Sequence, residues 1–191
     1  MYSVFVTEGV VLRKRAVGEA SVLVWVLTKE LGLVRASGRS ARAEASKLRY
    51  GLEPLTRARF SFVCGKHEWR LVGVEQVSRS LLCETFSRQR VGKIAKLLLR
   101  LIHGEEFNRE LYDTAVEGFE MLARTQPHDA AESVEAVLVL RILSHLGYLP
   151  HTDALAPFIE GGYSLELGAR ALRSRALLVR TINESLAASG L

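Results

Sequence analysis

The hydrophobic residues of this chain change their spacing near residue 80, and this change constrains the fold more than any other feature. Before it, apolar residues alternate with polar ones or form short β-branched runs, which is typical of strands. After it, they recur every three or four residues, which is typical of amphipathic helices. The sequence therefore predicts an α+β protein with two domains, a β domain over residues 1–79 and an all-α domain over residues 80–191.

Five strands are predicted in the first domain, separated by residues that favour turns. The strands are Gly9–Arg13, Ser21–Thr28, Leu33–Ala36, Arg59–Cys64 and Trp69–Val77. The turns are Lys14-Arg15, Lys29–Gly32 and Gly65–Glu68. Gly32 suits the positive φ angle of a hairpin, and residues 37–49 are too polar for a core and predict an exposed loop. Five strands with one long loop after the third fit a small closed or half-closed barrel.

Four helices are predicted in the second domain, where they form a small bundle. Their apolar stripes run from Leu82 to Ile102, from Leu111 to Leu122, from Val134 to Leu146, and along Leu172, Ala176, Val179, Ile182 and Leu186. Asn108 is predicted to cap the second helix, which stops before Pro127. Asp129 is predicted to begin the third helix, which ends at Gly147.

The positive charge is confined to the strand-rich part. Residues 1–80 contain 14 Lys and Arg against 7 Glu, a net charge of +7, whereas residues 81–191 contain 12 against 14 acidic residues, a net charge of −2. A basic part joined to a mildly acidic part favours a polyanion as the partner of the first. A basic surface that only keeps the protein in solution fits the same numbers, so charge alone leaves both interpretations open.

Signatures of catalysis and of metal binding are missing. The sequence has no GxxxxGK[ST], GxGxxG, GxSxG or HExxH motif. Its two cysteines, Cys64 and Cys83, cannot form a four-cysteine zinc site, and its five histidines lack the close spacing of zinc ligands. We therefore expect no enzyme activity, no catalytic residue, no metal and no cofactor. Cys64 is predicted to lie in the core, because it alternates with Phe60 and Phe62.

The location is also predicted from what the sequence lacks. The first residues do not have the pattern of a signal peptide, and every apolar run is much shorter than the ~20 residues that span a bilayer. Two cysteines do not make a disulfide scaffold. We expect a protein of the reducing cytoplasm with no membrane partner.

The cations of the strand-rich part are the candidate binding residues: Arg13, Lys14, Arg15, Arg35, Arg39, Arg42, Lys47 and Arg49. In a five-stranded barrel, the loops beside the second and third strands frame the oligonucleotide groove, and guanidinium groups offer paired donors to phosphate. Tyr50, beside the basic loop, is the first candidate for stacking on a base. Trp25 and Trp69 are further candidates, although a tryptophan in an alternating strand more often belongs to the core. Binding through phosphates should be weakly sequence-specific and strongly salt-dependent.

Several segments together resemble the RecO family of bacterial recombination mediators. In chain order they are Thr7–Arg13, Val17–Ala20, Leu27–Leu33, the basic Gly38-Arg39-Ser40 loop and Leu140–Pro150. The last of these is similar to the family's LRLL…LGY-x-P segment. They fall in both predicted domains and in the order of the family, and the combination is more specific than any one of them.

The resemblance implies an OB-fold barrel that binds single- and double-stranded DNA, followed by an α-helical domain. It implies a non-enzymatic bacterial protein, associated with the nucleoid, that anneals complementary strands. With a RecR partner, such proteins help to load the recombinase onto DNA coated with single-strand-binding protein. By position, Arg35 and Arg39 match basic positions of the family, and Arg42, Lys47 and Arg49 extend that surface.

The sequence departs from the family in one respect and leaves other functions open. Many members carry a four-cysteine zinc module after LGY-x-P, whereas residues 151–158 contain no cysteine here, so zinc is not expected. The alternative function is that of a general single-stranded nucleic-acid-binding barrel, for RNA for example, whose helices dock other proteins. A third function is that of a protein-interaction domain with a solubilising basic loop.

Overall fold

The chain forms two compact units. The computed structural model describes residues 3–43, 46, 48–65, 68–78, 81, 85–125, 128–150, 152–188 and 190. The first unit comprises Met1–Cys83 and Ile102–Tyr112, and the second comprises Glu84–Leu101 and Asp113–Leu191. The segment 102–112 therefore belongs with the strand-rich unit, which the sequence pattern does not indicate. The domain boundary between residues 79 and 80 stays a prediction.

The first unit is a closed five-stranded barrel. Its strands are β1 (Val4–Val17), β2 (Ser21–Thr28), β3 (Gly32–Gly38), β4 (Arg57–Cys64) and β5 (Trp69–Ser78). Their order around the barrel is β1-β2-β3-β5-β4. Neighbouring strands are antiparallel except β3 and β5, which are parallel. This is the topology of an OB-fold, so the predicted fold of the N-terminal part is confirmed.

Valines and phenylalanines fill the barrel because alternate residues of each strand point inward. Val22, Val24 and Val26 of β2 are no more than 1% exposed, and Phe60 and Phe62 of β4 are fully buried. Removal of each such side chain from water contributes about 1.5–3 kcal/mol. The same alternation determines which residues of β2 face outward.

Strand β1 is longer than predicted, and the predicted turn at Lys14 and Arg15 is wrong. Both residues and Arg13 lie within β1, where they pair with residues 23–25 of β2. The chain reverses afterwards, at Gly18, which has a φ angle of 60°. A run of three cations indicates a turn when it is considered alone, but here Arg13 and Arg15 are exposed on the strand, and Lys14 between them forms an ion pair with Glu53.

Two predictions at the hairpin end of the barrel have opposite outcomes. The hairpin between β2 and β3 is confirmed: Gly32 has a φ angle of 70°, and a Cβ atom there would collide with the backbone of Glu106. The prediction that Cys64 lies in the core is wrong, because its side chain is exposed. Cys64 continues the alternation of β4, but it is the last residue of that strand, and it is exposed although Phe62 is buried.

Six helices follow the barrel in the described part of the chain instead of the predicted four, and the predicted all-α character of the C-terminal part is confirmed. They are α1 (Thr85–Leu101), α2 (Arg109–Arg124), α3 (His128–His145), α4 (Ala156–Ile159), α5 (Leu165–Arg173) and α6 (Arg175–Ala188). The predicted cap is confirmed, because the Asn108 side chain accepts a hydrogen bond from the backbone N–H of Leu111 at 2.8 Å. Among the described residues, no helix is both long and apolar enough to cross a membrane.

The apolar stripe predicted for the last helix is wrong. The chain breaks at Ser174 into α5 and α6, and Leu172 and Val179 are 50% and 43% exposed. The predicted stripe assumes that one helix runs through this region. Because α6 begins after the break, its buried face does not continue the spacing of α5. Ile182 is buried as predicted, but the other buried positions of α6 are Leu178 and Ser185. Leu82, Pro127 and the side chain of Asp129, on which other helix predictions depend, lie outside what the structure describes.

Candidate nucleic-acid interface

A row of three side chains crosses the outer face of the barrel. Arg13 of β1 is the cross-strand partner of Trp25 in β2, and Trp25 is the partner of Arg35 in β3. Directly opposite residues in antiparallel strands place their side chains on the same face. The guanidinium carbons of Arg13 and Arg35 lie 5.0 Å and 5.7 Å from the centroid of the Trp25 ring. We call Arg13, Trp25 and Arg35 the outer row.

A β-bulge in β1 brings Arg13 into the outer row. Val11 pairs with Val26, but the register then shifts, so that Arg13 rather than Leu12 pairs with Trp25. In an unshifted ladder Arg13 would be opposite Val24, which belongs to the core. Since a slip of one residue moves a side chain to the other face of a sheet, the bulge is what turns Arg13 outward.

The arginines of this surface lack acidic partners. Six are exposed, namely Arg13, Arg15, Arg35, Arg39, Arg42 and Arg49, and none forms an ion pair with a carboxylate among the described residues. A guanidinium group over an indole ring gains about 0.5–1 kcal/mol at an exposed site, but its charge is not neutralised there. Its N–H donors stay available to phosphate oxygens. The outer row therefore combines two uncompensated cations with an aromatic ring.

Three predicted residues extend the outer row toward the turn between β1 and β2. Arg15 is exposed and is the cross-strand partner of Leu23, two residues from Trp25. Arg39 is exposed directly after β3. The Arg42 guanidinium donates a hydrogen bond at 3.2 Å to the carbonyl of Gly18, which holds the loop after β3 beside that turn. These are the strands and loops that frame the groove of an OB-fold.

The other predicted residues lie apart from the outer row. Lys14 is the partner of the core residue Val24, and its amino group forms an ion pair of 2.8 Å with Glu53. Arg49 and the 63% exposed Tyr50 lie in a 3₁₀ turn, Arg49–Gly51. That turn packs on β5 at Gly51, where a Cβ atom would strike Val74. Lys47 lies outside the described residues.

The two tryptophans have different environments. Trp69 is partly buried at the end of the barrel, where its ring packs edge-on against Phe5 and Phe62 at 5.3 and 6.3 Å. Its indole N–H donates a hydrogen bond of 2.7 Å to Glu105. Trp25 is also half-buried, but it lies on the outer face of the barrel between two arginines. The alternation of β2 could have identified it, because Trp25 stands between the core residues Val24 and Val26.

The described residues offer little support for metal binding or catalysis. No group of three or more His, Cys, Asp or Glu side chains in that part of the chain could hold a metal ion. The absence of a metal, of a cofactor and of catalysis stays a prediction. What the outer row can do chemically is to attract phosphate and to offer flat surfaces for stacking.

The fold and the outer row define the class of this protein: an OB-fold barrel with an arginine-rich outer face, followed by a unit of helices. Two family models match the sequence. Recombination protein O N terminal covers residues 1–79, and Recombination protein O C terminal covers residues 91–156. The chain belongs to the RecO family, which confirms the resemblance of its segments.

Curated relatives agree with this assignment. DNA repair protein RecO of Heliobacterium modesticaldum is 30% identical over 145 residues, which are 75% of this chain and 51% of that protein. DNA repair protein RecO of Thiobacillus denitrificans is 31% identical over 176 residues, or 85% of this chain and 64% of that protein. The protein of the same name from Thermobifida fusca is 41% identical over 64 residues, 34% of this chain and 26% of that protein. The chain spans about half to two thirds of the length of the first two relatives.

Proposed function

We propose that this protein is a DNA-binding recombination mediator in DNA repair, whose barrel, residues 1–79, binds single- and double-stranded DNA. The observation that carries the proposal is the outer row, two arginines without carboxylate partners on either side of Trp25. It lies on the face that OB-folds use for oligonucleotides. The relatives, whose names describe them as DNA repair proteins, support the choice of DNA.

The outer row suggests how a strand is held. Arg13, Arg35, Arg39 and the neighbouring Arg15 and Arg42 contact phosphates, which are present at every position and carry no sequence information. Stacking on Trp25 adds about 1–3 kcal/mol for each base and works for any base, because every base has a flat face. Stacking leaves the pairing edge of the base open. A strand bound in this way can still pair with its complement.

Family membership supports the remaining parts of the proposal. The protein anneals complementary single strands and, with a RecR-type partner, assists recombinase loading on DNA coated with single-strand-binding protein. It acts without catalysis and in the bacterial cytoplasm, associated with the nucleoid. The helical domain, residues 80–191, is the proposed docking platform for these proteins.

The test is the rate at which two complementary strands anneal when both are coated with single-strand-binding protein. Wild-type protein should accelerate pairing, and Arg35→Glu with Arg39→Glu should abolish the acceleration. The control is Arg173→Glu with Arg180→Glu, which makes the same charge change on exposed positions of α5 and α6. Protein that binds both strands but never speeds their pairing contradicts the mediator function.

A general single-stranded nucleic-acid-binding protein, acting on RNA for example, is the alternative. It is favoured by the same row, because contacts to phosphates and base faces do not exclude a 2′-hydroxyl. Competition between DNA and RNA strands of one sequence distinguishes the two. Equal affinity for both, without annealing, favours the alternative. An absence of any salt-dependent binding favours a protein-interaction domain instead.

A further inference from the structure

Helix α1 carries a basic stripe that the function proposed for the barrel does not use. Arg88, Lys93, Lys96 and Arg100 are all exposed. At 100° per residue these four positions fall within an arc of about 140°, and at 1.5 Å per residue the stripe is about 18 Å long. We call these four residues the α1 stripe. The opposite face of α1, with Val91, Ile94 and Leu98, is buried.

The α1 stripe is not neutralised, unlike the surface charges of other helices in its unit. Helix α1 contains no acidic residue, and no described carboxylate forms an ion pair with any member of the stripe. Three of the other helices each contain an arginine paired with a glutamate one turn away. These pairs are Glu120–Arg124 in α2, Glu166–Arg170 in α5 and Arg180–Glu184 in α6, with N–O distances of 4.0, 3.3 and 2.7 Å.

The middle of the stripe contains a glycine without a packing function. Gly92 lies inside α1 between Arg88 and Lys96 on the stripe's face, and apart from its chain neighbours and the helix's own backbone no described atom lies within 4 Å of where its Cβ would stand. Glycine inside a helix costs about 1 kcal/mol relative to alanine. The open backbone at Gly92 permits close approach of a ligand to the helix between the cations.

We propose that the α1 stripe is a second nucleic-acid surface, which holds the phosphates of another strand while the outer row holds the first. The inference depends on the function proposed above and deepens it, because a protein that holds two strands raises the effective concentration of each strand near the other. An acidic peptide is the other polyanion of matching charge. The stripe favours a nucleic-acid backbone, because no large apolar side chain among the described ones of α1 is exposed to receive a peptide's side chains.

The experiment uses two non-complementary DNA strands, one with a donor and one with an acceptor fluorophore. Energy transfer between them reports that one protein holds both. The stripe variant is Lys93→Glu with Lys96→Glu, and the matched control is Arg173→Glu with Arg180→Glu. We expect the stripe variant to bind a single strand within about twofold of wild type, to lose the energy transfer, and to anneal at least tenfold more slowly. The control should retain all three properties.

The outcomes separate this inference from the proposed function. If the stripe variant retains energy transfer and annealing, the second surface is refuted while DNA binding by the barrel stands. If the stripe variant loses binding to a poly-glutamate probe but retains energy transfer, the α1 stripe is a peptide site and the inference is refuted. If wild-type protein binds no strand, both proposals fall. Circular dichroism of the stripe variant should match wild type, because both substituted positions are exposed.

Discussion

Two arginines of the barrel and one arginine of the helical unit have opposite environments. Arg13 and Arg35 of the barrel lie on its surface against an indole ring, without a carboxylate partner. Arg141 of the helical unit is 3% exposed. It donates hydrogen bonds to the carbonyls of Phe158 and Glu160 at 2.9 and 3.4 Å. The partners of an arginine, rather than its presence, thus distinguish a binding residue from a structural one.

The surroundings of Arg141 explain why it is structural. Its guanidinium carbon lies 4.6 Å from the centroid of the Tyr163 ring. Burial raises the pKa of the Tyr163 phenol above its ordinary value; Arg141 lowers that pKa, and Glu117 raises it. The phenol is therefore neutral at physiological pH. Arg141 joins α3 to residues 158–163, and without it the carbonyl group of the buried Phe158 would lose this hydrogen bond.

Replacement of Arg141 should have the largest effect. Arg141→Ala removes the donors from two carbonyl groups, and hydrogen bonds to charged groups are worth about 1.5–3 kcal/mol each, so we expect a loss of about 3 kcal/mol in the free energy of unfolding. Urea denaturation measures it. At a temperature where the variant is folded, its affinity for DNA should equal that of wild type. A variant that is as stable as wild type but binds DNA more weakly would show that Arg141 is a binding residue rather than a structural one.

Charge reversal on the barrel should have the next largest effect. Arg35→Glu with Arg39→Glu replaces attraction to phosphate by repulsion, and we expect roughly 100-fold weaker DNA binding at low salt. Both residues are exposed, so the melting temperature should change little. Fluorescence anisotropy measures the affinity, and calorimetry the melting. A large fall in melting temperature instead identifies these arginines as structural.

Removal of the aromatic ring should have a smaller effect. Trp25→Ala takes away a stacking surface worth about 1–3 kcal/mol per base, so affinity for a single strand should fall roughly 5- to 100-fold. Trp25→Phe should restore most of it. Duplex DNA, whose bases are already stacked on one another, should bind the alanine variant nearly as well as wild type. Equal losses for both forms of DNA mean that Trp25 only positions the arginines.

The smallest effect is expected in the helical unit, at Gly92. Gly92→Ala should raise the free energy of unfolding by about 1 kcal/mol, because alanine favours a helix and nothing described fills the space that its methyl group needs. Chemical denaturation checks this increase. A destabilised Gly92→Ala variant indicates a packing partner for this position and removes one support for the α1 stripe.

The sequence predicts the fold better than it predicts the site, for a physical reason. Alternation and helical spacing depend on neighbours in the chain, so the five strands and the cap at Asn108 could be predicted. The outer row depends on cross-strand register, and the bulge between Val11 and Arg13 has no signal in the sequence. The sequence favours Tyr50 over Trp25 for stacking, because only the register shows that Trp25 stands between two arginines.

A correct local pattern can still give the wrong location for a side chain. Cys64 continues the alternation of β4, but at the last residue of the strand it is exposed rather than buried in the core. Arg141 interrupts an apolar helix face, which suggests a surface position until its carbonyl partners are known. Long-range contacts decide both cases, and a local pattern contains no information about them.

The salt dependence of single-strand binding tests the central claim most directly. Affinity is measured against salt concentration for wild type, for Arg13→Gln with Arg35→Gln, and for Arg173→Gln with Arg180→Gln as the control. Each phosphate contact on a single strand contributes about 0.7 to the slope of the double-logarithmic plot, so loss of two contacts should reduce the slope by about 1.4. The control should keep the wild-type slope. An unchanged slope in the barrel variant, or an equal reduction in the control, contradicts the assignment of DNA binding to the outer row.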